Sequence, residues 1–158
     1  MNKIPIKKAI DSGAVFEMDY TYNKILPAKL LIRFTGFRFV NYSEIDSIEK
    51  IKCEIGNGRL CLLYLEIINI GKKSFAKSNL DNHFFLCNIT GDTFCTIYDS
   101  HLNTMSKFSI DTGLFDRNSE VIIRPKFKSK YVLLFFVDNT FENNYYIYAH
   151  KSIIFKRQ

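Results

Sequence analysis

Few residues in this chain are of types that do chemistry, and their spacing decides what each group can support. His83, Cys87, Cys95 and His101 carry the nitrogen and sulfur donors that zinc prefers. Their spacing matches no common finger, and a strand would place His83 and Cys87 two pleats apart on one face. Asp99, Ser100 and His101 are adjacent in sequence, whereas a catalytic triad is assembled in space from separate segments. Asp11, Glu17 and Asp19 read as a solvated strand edge and not as paired acid and base carboxylates. Gly56-Asn57-Gly58 is explained by a turn without invoking a phosphate-binding loop. The expectation is a chain that is not an enzyme, with no metal and no cofactor.

The strongest constellation is a binding one, Arg124-Pro125-Lys126-Phe127-Lys128-Ser129-Lys130. Alternation in extended chain would project Arg124, Lys126, Lys128 and Lys130 to one face. Such a stripe suits an acidic protein surface, suits nucleic-acid phosphates, or simply guards a strand edge against pairing. Lys151, Lys156 and Arg157 are candidates to extend it. The net charge of +6 favours acidic partners of any kind and leaves the choice open. Phe34, Phe37, Phe39, Tyr145, Tyr146 and Tyr148 could stack on single-stranded bases, but at strand spacing the expected role is core and cross-strand packing.

The elements that must position these residues are strands. Fifteen Phe and nine Tyr with no Trp and seven Gly favour pleated surfaces. The 158 residues fit one domain, which we place at 13–158, preceded by an N-terminal arm over 1–12 in which Pro5 argues against regular structure. Cys61 to Lys73 is a near-continuous apolar run closed by Asn69 and Gly71, the pattern of a strand buried on both faces. From Gly13 to Tyr20, Phe16, Met18 and Tyr20 alternate with Val15, Glu17 and Asp19. Lys29 to Val40 continues as extended chain with a bend expected at Thr35-Gly36. Asn57-Gly58 predicts a type I′ hairpin between 51–55 and 60–64.

Further along, Lys72 to Asn82 reads as a connection anchored by Phe75 and Leu80, and a second hairpin turns about Thr90-Gly91-Asp92. A three-residue loop there would set Cys87 opposite Cys95, while a two-residue loop would put them on opposite faces. Asp99 to Glu120 is irregular, and strands at 121–123, 131–137, 145–149 and 153–155 complete the chain. Short strands separated by turn signals predict an all-β, antiparallel sandwich or barrel. No stretch approaches the roughly 20 apolar residues that span a bilayer, and the basic N-terminus has no apolar segment behind it. A cytoplasmic location and no membrane insertion are therefore expected.

The run Leu63-Tyr64-Leu65-Glu66-Ile67-Ile68-Asn69-Ile70-Gly71-Lys72-Lys73 resembles a strand of the immunoglobulin-like domains found in Gram-positive bacterial lipoproteins. Phe84-Phe85-Leu86, Gly91-Asp92-Thr93-Phe94 and Val132-Leu133-Leu134-Phe135-Phe136-Val137-Asp138 extend that resemblance over about residues 60–156. It departs from the family in having no lipid-attachment cysteine and in replacing the Pro-Gly before the late strand by Pro125 and a basic run. The resemblance implies an immunoglobulin-like β-sandwich and carries over no catalytic residues. It also implies an exported adhesion domain, for which a Cys87–Cys95 disulfide would be expected. The reading adopted is a non-enzymatic protein-binding module of the small phage or mobile-element kind, acting on a host or partner protein through the basic residues at 124–130. A nucleic-acid binder using a basic strand edge and an exported surface domain are the alternatives.

Overall fold

The computed structural model describes residues 3–20, 28–41, 58–81, 83–95, 122–138, 145–149 and 153–157. Its longest strands follow the apolar patterning of the sequence. Strand β2 (Val15–Tyr20) turns Phe16 and Met18 inward, and β3 (Ala28–Phe39) does the same with Leu30, Ile32 and Phe34. The pairing of β3 shifts register between Phe34 and Gly36, so Thr35 is the extra residue of a bulge. After the bulge, Phe37 and Phe39 fall opposite Leu63 and Cys61 and pack on the same core. The bend expected at Thr35-Gly36 is where the strand changes register.

Strand β4 (Gly58–Asn69) lies between β3 and β9 (Lys128–Asp138), and its neighbours explain its apolar run. Cys61, Leu63, Leu65 and Ile67 face the main core, while Leu60 and Leu62 join Val40, Val132 and Leu134 in a second cluster on the other face. Both faces are thus buried along the first half of β4, and the second half turns Tyr64, Glu66 and Ile68 to a half-buried outer face. Gly58 begins the strand because no side chain fits there: a Cβ would lie on the Phe136 ring and 2.6 Å from Val137 O. Gly58 is thus a paired strand residue opposite Asp138, without the positive φ that the type I′ turn expected at Asn57-Gly58 would require; the first arm of that hairpin falls outside the described residues, as do the segments at 42–50 and 99–120.

Among the described residues three antiparallel sheets form. The largest has the order β11-β2-β3-β4-β9, with β11 at Ile153–Arg157. A second has the order β1-β10-β6-β7, built from Ile4–Pro5, Tyr146–Ala149, Phe84–Cys87 and Thr93–Cys95. The third pairs β5 (Phe75–Ala76) with β8 (Ile122–Ile123), and a 3-10 turn follows β5 at Lys77–Leu80. Side chains of the two larger sheets meet in one cluster, Phe16, Phe34, Leu65 and Leu133 from one and Phe84, Leu86 and Ile147 from the other. The expectation of an all-β, antiparallel protein holds. No helix among the described residues is long and apolar enough to cross a membrane.

The N-terminal segment differs from the expected loose arm. Ile4 and Pro5 pair with Ile147 and Tyr146 at a sheet edge, where a missing N–H is tolerated. Helix α1 (Ile6–Ser12) follows at once and buries Ile6 and Ala9. Pro5 stands at its N-cap and breaks nothing, while Gly13 ends it in the left-handed conformation at φ 62°. The second hairpin also differs. Its loop is Asn88–Asp92, and the register pairs Cys87 with Thr93 and Cys95 with Phe85. Cys87 carries a free thiol that donates to Asn88 O, so neither expected cysteine arrangement is formed.

Candidate functional site: a basic corner around Asn69

Asn69 ends β4 with its side chain on the core face, fully buried. Burial of a primary amide is tolerated only when its donors and acceptor are used. Here Nδ2 donates to Lys73 O and to Ile123 O, both at 2.8 Å, and Oδ1 accepts from the Gly71 N–H at 2.9 Å. The backbone of the same residue donates to Phe127 O and accepts from Lys126 N at 2.7 Å. One residue therefore fastens three segments together: the 70–74 turn, the β8 strand and the chain entering β9.

That fastening shapes the basic segment. Phe127 N donates to Arg124 O at 3.1 Å, closing a four-residue turn with Pro125 second and Lys126 third. Lys126 has φ 71°, the value that the third position of a type II turn demands. Among the described residues it is the non-glycine residue with positive φ. A lysine there is strained by about 1 kcal/mol relative to glycine.

The expected extended stripe is thus corrected. Lys128 and Lys130 do share one face of β9, exposed, whereas Arg124 and Lys126 sit in the turn before it. Pro125 sets the turn, and the hydrogen bonds to Asn69 hold it. Among the described residues β9 is an edge strand of the five-stranded sheet, which is where a basic edge was anticipated. Lys156 and Arg157 lie on β11 at the opposite edge, so they do not extend the patch along β9. Lys151 falls outside the described residues.

The apolar surroundings were not legible from the sequence. Phe127 is 61% exposed, Ile122 49% and Ile70 40%. Each is a hydrogen-bond partner of Asn69 or the chain neighbour of one, or adjoins Asn69 itself. These exposed apolar residues therefore lie on the segments that Asn69 ties together, the same segments that carry the exposed Arg124, Lys126 and Lys128 and, in the adjoining turn, Lys72 and Lys73. The sequence signal was Pro125 between two cations, a turn marker inside an apparent strand.

Beyond the corner, the outer face of the sheet alternates in sign. Lys29 Nζ lies 3.0 Å from Glu17, and Arg33 pairs with Glu66. The Glu17 carboxylate, as hydrogen-bond acceptor and as charge, holds the Lys29 ammonium pKa above its ordinary value. Lys130 stands opposite Glu66 on β4, but the Glu66 carboxylate is taken by Arg33 on the other side.

The remaining candidates separate. Phe34 and Tyr145 are buried, Phe37 and Phe39 are half-buried against the core, and Tyr148 stacks on Phe85 at 5.2 Å. With Tyr146 half-buried, these aromatics are divided between the core side and the outer Phe85–Tyr148 stack and do not share one face. His83 is buried just before β6 and Cys87 at its end, and His101 is outside the described residues. Near them Tyr131 Oη donates to Asp81 Oδ1 at 2.8 Å, and burial together with that carboxylate raises the Tyr131 pKa.

No protein-family model matches the chain, and no curated protein does. Among solved structures, the chain is similar to the crystal structure of a functionally unknown protein from Listeria monocytogenes EGD-e, at 14% identity and a TM-score of 0.49. That match covers 97% of this chain and 90% of the other.

Proposed function

We propose that this chain is a non-enzymatic binding module that docks an acidic protein surface on the corner around Asn69. The observation carrying this reading is Lys126, held at positive φ beside the most exposed Phe of the described surface. Backbone strain persists where the surroundings over-determine it, and it concentrates at sites of recognition. Here three elements converge to hold a strained lysine and present Phe127, a combination that contributes nothing to the core.

The arrangement suits a protein partner. Protein-binding patches have an apolar centre with an aromatic anchor and a polar rim. Phe127, Ile70 and Ile122 supply the centre, and Arg124, Lys126, Lys128 and Lys130 supply a rim of one sign that steers an acidic partner. Nucleic acid is the weaker alternative. A phosphate backbone asks for a continuous positive track, and Glu17 and Glu66 interrupt the adjoining sheet face. In fold terms we read the two larger sheets as an immunoglobulin-like sandwich, as the lipoprotein-domain resemblance suggested. A cytoplasmic location belongs to the same proposal.

The test is capture from host lysate with the tagged full chain, after nuclease treatment and at two salt concentrations, beside the Phe127→Ala and Lys126→Glu variants. A protein retained by the parent chain and lost from both variants supports the reading. Equal retention by all three chains, or recovery abolished by nuclease, contradicts it.

A further inference from the structure

A cavity of about 470 Å³ opens away from the basic corner, between helix α1 and the second half of β3. Its size falls within the ordinary range for small-molecule sites. Ile6 and Ile10, one helical turn apart, line it from α1, and Phe37, Phe39 and Tyr145 form its aromatic wall. The ring centroids of these three lie 5.6, 5.8 and 6.2 Å apart in tilted or edge-on pairs. Arg59 stacks on Phe39 at 4.2 Å from the ring centroid, which fixes that ring. Gly36 lines it through its backbone, since its Cβ position faces Tyr64 on the other side of the sheet.

Lys7 and Asp11 also line the cavity, both exposed and again one helical turn apart. Side chains at this spacing stand about 5–6 Å apart at Cβ. The mouth thus presents one cation and one anion side by side over an aromatic interior.

We propose that this cavity binds an aromatic α-amino acid, or a small molecule built on the same plan. The flat apolar body matches the aromatic wall, where edge and offset contacts favour a ring over an aliphatic chain. Lys7 meets the carboxylate and Asp11 the ammonium group. A ligand bearing only one of these charges leaves one side chain unmatched and brings its like charge close, so the pair selects for a zwitterion.

The chain contains no Trp, so the fluorescence of added L-tryptophan reports binding directly. The full chain is titrated with L-tryptophan, tryptamine, indole-3-propionate and indole. L-Tryptophan is expected to bind two- to fivefold more tightly than either singly charged analogue, the ratio that one exposed ion pair supports. Lys7→Met should remove the advantage of the carboxylate and Asp11→Asn that of the ammonium group, both at exposed positions that leave the fold intact. Ile10→Phe, which fills the cavity with an apolar side chain, should abolish binding of all four. Absence of saturable L-tryptophan binding at millimolar concentration overturns the proposal. So do equal affinities across the four ligands, or binding that survives Ile10→Phe in a chain whose circular dichroism matches the parent.

Discussion

Replacing Asn69 by Asp changes one NH₂ for an oxygen and almost no volume, so it tests the hydrogen bonding of the corner apart from its packing. In the native chain the amide donates to Lys73 O and Ile123 O at 2.8 Å each. An aspartate would set a carboxylate oxygen against those two carbonyl oxygens and keep only the acceptor for the Gly71 N–H. Two lost hydrogen bonds contribute about 2 kcal/mol, and a buried carboxylate facing unsatisfied carbonyls adds about 1–3 kcal/mol. The expected loss at pH 7 is therefore about 3–5 kcal/mol, a large part of the about 5–15 kcal/mol that holds a domain folded.

The loss should depend on pH with a defined sign. Burial and the two carbonyls raise the folded pKa of the new carboxyl above its unfolded value of about 3.9. The folded variant then binds its proton more tightly than the unfolded chain does, so its deficit shrinks as pH falls through the raised pKa. Asn69→Ala, which cannot ionise, should lose about 2–3 kcal/mol at every pH from the unsatisfied Ile123 O and Gly71 N–H. Urea unfolding of the three proteins from pH 7 down to pH 4.5 gives the comparison. Equal stability of the Asp and Ala variants at all pH values, or an Asp variant as stable as the parent, would refute the role assigned to Asn69.

Three further predictions follow from other parts of the structure. Lys126→Gly should keep or raise the melting temperature, since glycine relieves the positive φ, while weakening partner capture; a drop in melting temperature would count against the turn geometry. Ile6→Ala should cost about 2–4 kcal/mol in urea unfolding, because Ile6 is part of the core, whereas a loosely held arm would show no change. The Asn88 amide and the Thr90 hydroxyl hold the Asp92 carboxyl below its ordinary pKa of 3.8. NMR titration should find Asp92 titrating below that value and returning towards it in Asn88→Ala, with the loop's stabilisation present at neutral pH and lost as pH falls through the depressed pKa.

Much of the sheet was legible because side-chain period and strand geometry agree. Phe16 and Met18 in β2, Leu30, Ile32 and Phe34 in β3, and the apolar odd positions of β4 and β9 follow simple alternation. The glycine at 36 marked the register change, and Phe75 and Leu80 anchored the connection as their isolation suggested. Helix α1 was hidden by its length: two turns give Ile6, Ala9 and Ile10 at helical spacing, but too few repeats to stand out, and Pro5 read as a breaker where it is the cap. The register at Cys87 and Cys95 was not legible because the loop is longer than the turn signal at Thr90-Gly91-Asp92; Asn88 Oδ1 accepts from the Asp92 N–H at 2.8 Å and the loop takes in two more residues.

The candidate site was half legible. Charge and spacing pointed to 124–130, but alternation assumed an extended backbone. What bends it is Asn69, far away in sequence, whose amide and backbone capture Ile123, Lys126 and Phe127. Long-range hydrogen bonds of that kind leave no local pattern. Nor does the exposure of Phe127, since an isolated aromatic between lysines looks the same in a core strand.

Hydrogen exchange of the full chain, free and with the protein it captures, tests the central claim most directly. Binding at the basic corner predicts slowed exchange in two stretches, 69–73 and 122–130, with β2 and α1 unchanged. Protection confined to α1 and β3, or spread evenly over both larger sheets, would contradict the assignment of the corner as the docking surface.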